Sequence, residues 1–266
     1  MFAVLGYRTA AVLARVLPAP VADGLATVLA RVAFEWRVPA RTALEANLAR
    51  LLPALPAAER RRHARAAFAS FARCFAAFLR GPDRAASGRV VGREHLERAA
   101  ASGRGVIVLS AHLGHWEGGA ALLAASTGGA IHLAARHHPD GPVAALFAAR
   151  RAAAGVRVLP DGALLPAASG LLRRGEWLAL MADRGAARTG GASVCAWAAA
   201  LAQRTGALVL PAVCVRDGDG VLRLHVEAPL EAAACREGAF RDTMRRWLAR
   251  WPDQWAAFEA LPEGLA

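Results

Sequence analysis

Gly105-Val-Ile-Val-Leu-Ser-Ala-His-Leu-Gly-His-Trp-Glu117 is the stretch on which the reading of this chain turns. The apolar run from Gly105 to Ala111 reads as a buried strand. His112 stands at the carboxyl end of that strand, where open α/β sheets collect their ligands. Glu117 follows one turn into the next helix, placed to fold back onto the imidazole. Together the two side chains outline a catalytic dyad.

Strand and helix signals alternate outward from this point. Strand 105–110 leads to helix 114–126, strand 130–135 to helix 140–154, strand 156–159 to helix 161–174, and strand 177–182 to helix 193–205. Strands 207–216 and 221–227 flank the hairpin signal Asp217-Gly-Asp-Gly220, and helices at 237–250 and 252–260 end the chain. Ahead of the alternation, helices are predicted at 3–17, 20–35, 41–52 and 57–80, the last closed by Gly81-Pro82. This order predicts an α/β fold: a mainly parallel central sheet flanked by helices, an antiparallel hairpin at its edge, and N-terminal amphipathic helices. Residues 1–80 read as a helical membrane-associating region and 81–266 as the α/β core, the two making one compact domain. The sole hinge candidate is 81–89.

The chemistry open to such a dyad is removal of a proton from a hydroxyl. Neutral His112 takes the proton, while Glu117 holds the ring tautomer and stabilises the imidazolium that forms. The attacking oxygen then belongs to the substrate, and no serine nucleophile is required; the chain has no Gly-x-Ser-x-Gly elbow. An activated acyl group such as a thioester is the natural electrophile. Backbone N–H groups near Gly114, at the start of the helix, are placed to meet a tetrahedral oxyanion. The spacing His112-x-x-His115 with Glu117 also suggests metal ligands, but zinc needs three or four secured ligands and no further Cys or His follows at a recognisable spacing. No metal is expected. Trp116 and Trp177 read either as walls of an acyl-chain groove or as core.

Five blocks follow one another along most of the chain: Gly92-Arg-Glu-His-Leu-Glu97, the run from Gly103 to Glu117, Arg174-Gly-Glu-Trp-Leu178 with Ala182-Asp183, Arg204-Thr-Gly-Ala207, and Pro252-Asp-Gln-Trp255. In these blocks and their order the chain resembles the bacterial lysophospholipid acyltransferase superfamily, within it the late lipid A biosynthesis branch with the His-x4-Asp/Glu motif. The resemblance implies an O-acyltransferase that moves a fatty acyl group from an acyl thioester to a hydroxyl of a lipid or glycolipid acceptor. The donor would be carried by acyl carrier protein or coenzyme A, the site would be the cytoplasmic face of the cell inner membrane, and no resident cofactor would be needed. It carries the catalytic roles to His112 and Glu117.

The same resemblance implies an arginine at Arg136, whose guanidinium fork suits a phosphate or an oxyanion. Asp183, with Arg184 beside it, ends the fourth strand of the alternation and is a candidate ion-pair partner of Arg136. The family commonly has Asn where His115 stands, so His115 reads either as a polar wall of the acceptor site or as a tolerated substitution. Two departures point to an altered acceptor pocket. The short Arg184-Gly-Ala-Ala-Arg-Thr-Gly-Gly191 lacks the family's aromatic hairpin, and Arg184 replaces its usual Gln. A lipid A precursor is therefore not assumed as acceptor. The competing reading is a non-catalytic, membrane-associated protein of the same fold that holds a lipid or an acyl carrier.

Composition bounds these readings. Hydrophobic residues make up 56% of the 266, with mean hydropathy +0.29, which points to contact with lipid. No stretch of apolar residues is long and uncharged enough to span a bilayer, because Arg8, Arg15, Asp23 and Arg31 interrupt the amino-terminal third. Phe2, Val4, Leu5, Val12, Leu13, Val16 and Leu17, then Leu25, Val28, Leu29, Val32 and Trp36, recur at helical spacing and suit a peripheral or monotopic helix pair lying in the interface. Ordinary amphipathic helices packed on the core are the alternative. No signal peptide is read, for want of a cleavage site.

The net charge of +12 comes entirely from arginine among the basic residues. With abundant Ala and Gly this matches a GC-rich genome, so part of it carries no functional information. Arg60, Arg61, Arg62, Arg65 and Arg73 share one predicted helix, a face that suits anionic headgroups or an acidic carrier, or that is simply solvated. No nucleic-acid partner is inferred, since no aromatic platform interleaves the arginines. Cys74, Cys195, Cys214 and Cys235 show no paired short spacing and read as reduced, mostly buried thiols.

Overall fold

Residues 2–81, 88–134, 141–159, 164–184, 193–231 and 237–261 are described by the computed structural model. Four helices come first: α1 (Phe2–Val16), α2 (Ala19–Trp36), α3 (Val38–Leu51) and α4 (Ala57–Arg80). The alternating part runs β1 (Arg89–Val91), α5 (Arg93–Ala101), β2 (Val106–Ser110), α6 (Trp116–Thr127), β3 (Ile131–Leu133), α7 (Gly141–Ala153), β4 (Val156–Val158), α8 (Leu164–Arg173), β5 (Trp177–Met181) and α9 (Val194–Thr205). The hairpin strands β6 (Leu208–Arg216) and β7 (Leu222–Val226), helix α10 (Glu237–Arg250) and a 3-10 turn at Pro252–Gln254 complete the described chain.

The strands form one sheet in the order β1-β7-β6-β2-β5-β3-β4, parallel throughout except for the β6–β7 hairpin. Strand β2 is central and buried at every position. Its alternate side chains enter two different layers, as period-2 geometry requires: Ile107 and Leu109 join the cluster under α2, α3, α4, α8, α9 and α10, while Val106 and Val108 join the cluster under α5 and α6. Each such fully buried aliphatic side chain contributes about 2 kcal/mol. The expected α/β architecture, a mainly parallel sheet covered on both faces, is the one observed.

The front helices share the same core as the sheet. Phe34, Leu44, Leu48, Ala64 and Phe68 belong to one buried cluster with Ile107, Leu109 and Leu178. Helix α4 is 24 residues long, rich in alanine, with Glu59 in its first turn and Arg80 in its last, both placed favourably for the helix dipole. It ends at Gly81, whose φ of +105° lies outside the range of ordinary L side chains.

Two local expectations are corrected, and two short elements are new. The hairpin is not the sheet edge, because β1 pairs parallel with β7 and lies outside it. A strand of three residues leaves no readable alternation, and the nine-residue α5 after it was equally unmarked. The helix expected at 252–260 is only the short 3-10 turn, since the backbone beyond it is drawn into bridge pairing between Trp255 and Leu113. Tertiary pairing overrides the local propensity there.

Candidate active site

His112 lies two residues past β2, and Asp183 two residues past β5. These strands are parallel neighbours with Ser110 beside Met181, so their carboxyl ends deliver both side chains to one place. The Ala182 N–H continues the pairing by donating to the Ser110 carbonyl at 2.8 Å. His112 Nδ1 is 2.8 Å from Asp183 Oδ1. Asp183 Oδ2 accepts from the His112 backbone N–H and from Trp255 Nε1, each at 2.9 Å.

The Asp183 side chain is wholly buried. Burial works against its charge, but the neighbouring His112 and the hydrogen bonds from the His112 ring, Trp255 and the His112 backbone outweigh it and hold the carboxyl below its ordinary range. An ionised carboxylate can only accept, so the shared proton resides on Nδ1, and in the neutral ring Nε2 is then the nitrogen that carries the lone pair. Trp116 meets the ring at 72°, centroids 5.2 Å apart, which fixes the imidazole from a second side.

Glu117 takes a different partner. Its carboxylate receives Arg151 from α7 in a forked pair, Nε at 3.1 and 3.2 Å from the two oxygens and Nη2 at 2.5 Å. The expectation that Glu117 holds the imidazole is thereby corrected: Asp183 occupies that place. Helix α6 begins at Trp116 and carries Glu117 in its first turn, where a bidentate guanidinium binds a carboxylate more strongly than a neutral ring does.

His115 is the N-cap of α6. Its Nδ1 accepts the Gly118 N–H at 3.1 Å, and burial, reinforced by Arg216, pushes its pKa down to about 4. It is a neutral acceptor that caps the helix, a role not among the expectations, and it also borders two adjoining cavities. The backbone donors near Gly114 are occupied: Gly114 N–H donates to the Gln254 carbonyl at 2.9 Å and His115 N–H to the Cys214 carbonyl at 2.7 Å. These two N–H groups are therefore not available to an oxyanion. Gly114 is required for this close approach, since with φ +68° a Cβ would fall 2.1 Å from the Cys214 oxygen.

The ring of His112 borders a cavity of about 290 Å³ walled by Phe71, Phe75 and Phe78 of α4, Tyr7 of α1, Phe147 of α7 and Trp116. Arg184 and Arg151 line it too. Trp116 is thus a cavity wall, whereas Trp177 is buried among core residues of the sheet. Arg136, and with it the suggested Arg136–Asp183 pair, lies outside the described residues. Among the described residues no three His, Cys, Asp or Glu side chains are grouped as metal ligands.

Arg151, Trp255 and the α4 aromatics were not singled out as site residues. The phenylalanines repeat at 71, 75 and 78, a helical spacing that places them on one face. Trp255 lies within Pro252-Asp-Gln-Trp255, a block recognised without a role. Nothing local marks Arg151.

Residues 2–259 match the family described as bacterial lipid A biosynthesis acyltransferase. The chain is also similar to the phosphatidylinositol mannoside acyltransferase of Mycolicibacterium smegmatis (strain ATCC 700084 / mc(2)155), 29% identical over 271 residues that cover 94% of this chain and 88% of the relative.

Proposed function

Because the chain belongs to the bacterial lipid A biosynthesis acyltransferase family and is an acyltransferase that acylates a lipid or glycolipid, we propose that His112 acts as general base in direct transfer of a fatty acyl group from a thioester to a hydroxyl. The observation that carries this reading is the Nδ1 contact with buried Asp183, which leaves Nε2 as the basic nitrogen of a ring that borders the aromatic cavity. The acceptor hydroxyl loses its proton to Nε2 and its oxygen attacks the thioester carbonyl. The tetrahedral intermediate then collapses with loss of the thiolate, which takes up the proton from the imidazolium. Asp183 steadies the imidazolium throughout. Arg184 lines the same cavity and meets the charge on the carbonyl oxygen.

The aromatic cavity suits a fatty acyl chain, and the donor is acyl carrier protein or coenzyme A thioester acting as cosubstrate, with no resident cofactor. The acceptor is a phosphorylated glycolipid of the kind named for the mycobacterial relative. The enzyme works at the cytoplasmic face of the inner membrane as a peripheral or monotopic protein. That placement is supported by exposed apolar side chains on α1 and α2, among them Val16, Leu29 and Trp36. No helix of the described residues is long and apolar enough to cross a membrane.

Mass spectrometry of lipid extracts tests the reaction. Incubation with acyl carrier and acyl-coenzyme A donors is expected to yield a species heavier by one acyl group with the wild type and none with His112→Ala. Equal product from both proteins, or no donor consumed by either against a broad acceptor set, would sink the proposal.

A further inference from the structure

Behind the Glu117–Arg151 pair lies a second cavity, of about 330 Å³, that the transfer chemistry above does not use. It shares Phe78, His115, Glu117 and Arg151 with the aromatic cavity, so the two are adjacent chambers with this ion pair in the common wall. Its character is opposite. Arg80 from the end of α4, Arg150 and Arg151 from α7 and Arg216 from the end of β6 all line it, and among the described residues Glu117 is the sole carboxylate of the lining.

Glu117 is already committed to Arg151 through both oxygens. Of the remaining cations, Arg80 is paired with Asp23, while Arg150 and Arg216 have no carboxylate partner among the described residues. Arg216 donates to the Gly220 carbonyl at 2.6 Å and has no carboxylate partner. Arg80 forms a long ion pair with Asp23 at 3.6 Å, and its buried Nη2 makes no hydrogen bond. Arg150 has no carboxylate partner among the described residues, and its Nε is buried without a hydrogen bond. The Arg150 guanidinium presses so closely on the backbone at Gly81 that a Cβ there would fall 2.7 Å from Nη1. Burial, and then Arg15, lower the pKa of Arg150, the mark of a cation held without a counter-charge. Cations gathered in one concavity repel each other until an anion enters, and the guanidinium fork is the side chain best shaped to grip a phosphate.

We infer that this second cavity binds the phosphate ester of a substrate, holding it behind the Glu117–Arg151 pair while the reacting group reaches through to His112. The identity of the ligand rests on the acyl-transfer reading, because both a phosphopantetheine-borne donor and a phosphodiester glycolipid acceptor present such a group. The recognising chemistry is the same for either.

Equilibrium binding of two matched pairs decides the matter: 4′-phosphopantetheine against pantetheine for the donor, and inositol 1-phosphate against inositol for the acceptor. The wild type is expected to prefer the phosphorylated member of one pair by roughly tenfold or more, and Arg150→Gln and Arg216→Gln to lose most of that preference. The pair affected names the source. Because the preference is a ratio within one sample, partial unfolding does not imitate its loss, and Arg216→Lys, which keeps charge without the fork, should retain part of it. His112→Ala should bind every probe as the wild type does while losing transfer, so a failed catalytic reading is separable from a failed phosphate site. A wild type with no phosphate preference, or Gln variants that keep it in full, overturns the inference.

Discussion

Nδ1 of His112 lies 2.8 Å from Oδ1 of Asp183, a carboxylate 71 residues further along the chain. The histidine and its orienting acid therefore come from the ends of two adjacent parallel strands, and the helix that follows the histidine contributes a wall instead. Since Trp255 and the His112 backbone N–H secure the second oxygen, the acid has no freedom to swing away. Replacing it by Asn keeps the shape and removes the obligatory acceptor at Nδ1. Asp183→Asn should lower the rate of acyl transfer roughly 10²–10⁴-fold while leaving donor affinity close to wild type. Turnover and binding measured on the same preparation check this; a variant with full kcat would remove Asp183 from the mechanism.

Glu117 and Arg151 form a forked pair whose side chains are only 13% and 14% exposed. Removing one partner strands the other in a poorly solvated place. Glu117→Gln and Arg151→Gln should each cost about 3 kcal/mol of stability, and the double variant distinctly less than the sum. Urea denaturation of the four proteins supplies the cycle. Strict additivity would show that the two side chains do not act as a pair.

The strand that leads to His112 was legible because four large aliphatic residues in a row, Val106 to Leu109, can be buried only from both sides, and the alternation around it fixed the sheet. The dyad was half legible. His112 announces itself at a strand end, but Glu117 is close in sequence while Asp183 is close in space, and only the register of β2 against β5 tells them apart. The cap formed by His115 was hidden by its chemistry, since histidine is not among the usual N-cap residues. Trp255 was invisible as a donor to Asp183 because its segment was read as helix, whereas the Ala256 N–H donating to the His112 carbonyl at 2.8 Å holds it extended.

His115 makes stability depend on pH in a definable window. Its pKa is about 4 in the folded protein against an ordinary 6.5, with burial the chief cause, so between these values the unfolded chain binds a proton that the folded one excludes. The stabilisation is complete above the unfolded value and declines as pH falls toward the folded one. Going from neutral pH to about pH 5 should cost roughly 2 kcal/mol. His115→Asn keeps an N-cap acceptor and cannot titrate, so its urea midpoint should fall much less over the same range. If wild type and variant lose stability in parallel, the depressed histidine is not the source.

The proposed membrane contact has a similarly local origin. Of the large apolar side chains exposed among the described residues, all but Val91 and Leu165 lie between Leu5 and Val38, with Trp36 82% and Val16 74% exposed. Such a concentration on α1 and α2 and the first residue of α3 is lipid-facing by physical expectation, because water would favour its burial. Vesicles of phosphatidylglycerol and phosphatidylethanolamine should bind the wild type, and part of that binding should persist in high salt, where the arginine contribution is screened. Val16→Glu with Leu29→Glu puts two charges into the apolar face without touching the core and should weaken partitioning by about tenfold or more. Co-sedimentation with the vesicles at low and high salt checks both statements. Undiminished binding by the double variant, with full loss of wild-type binding in salt, would show that arginines alone bring the protein to the bilayer.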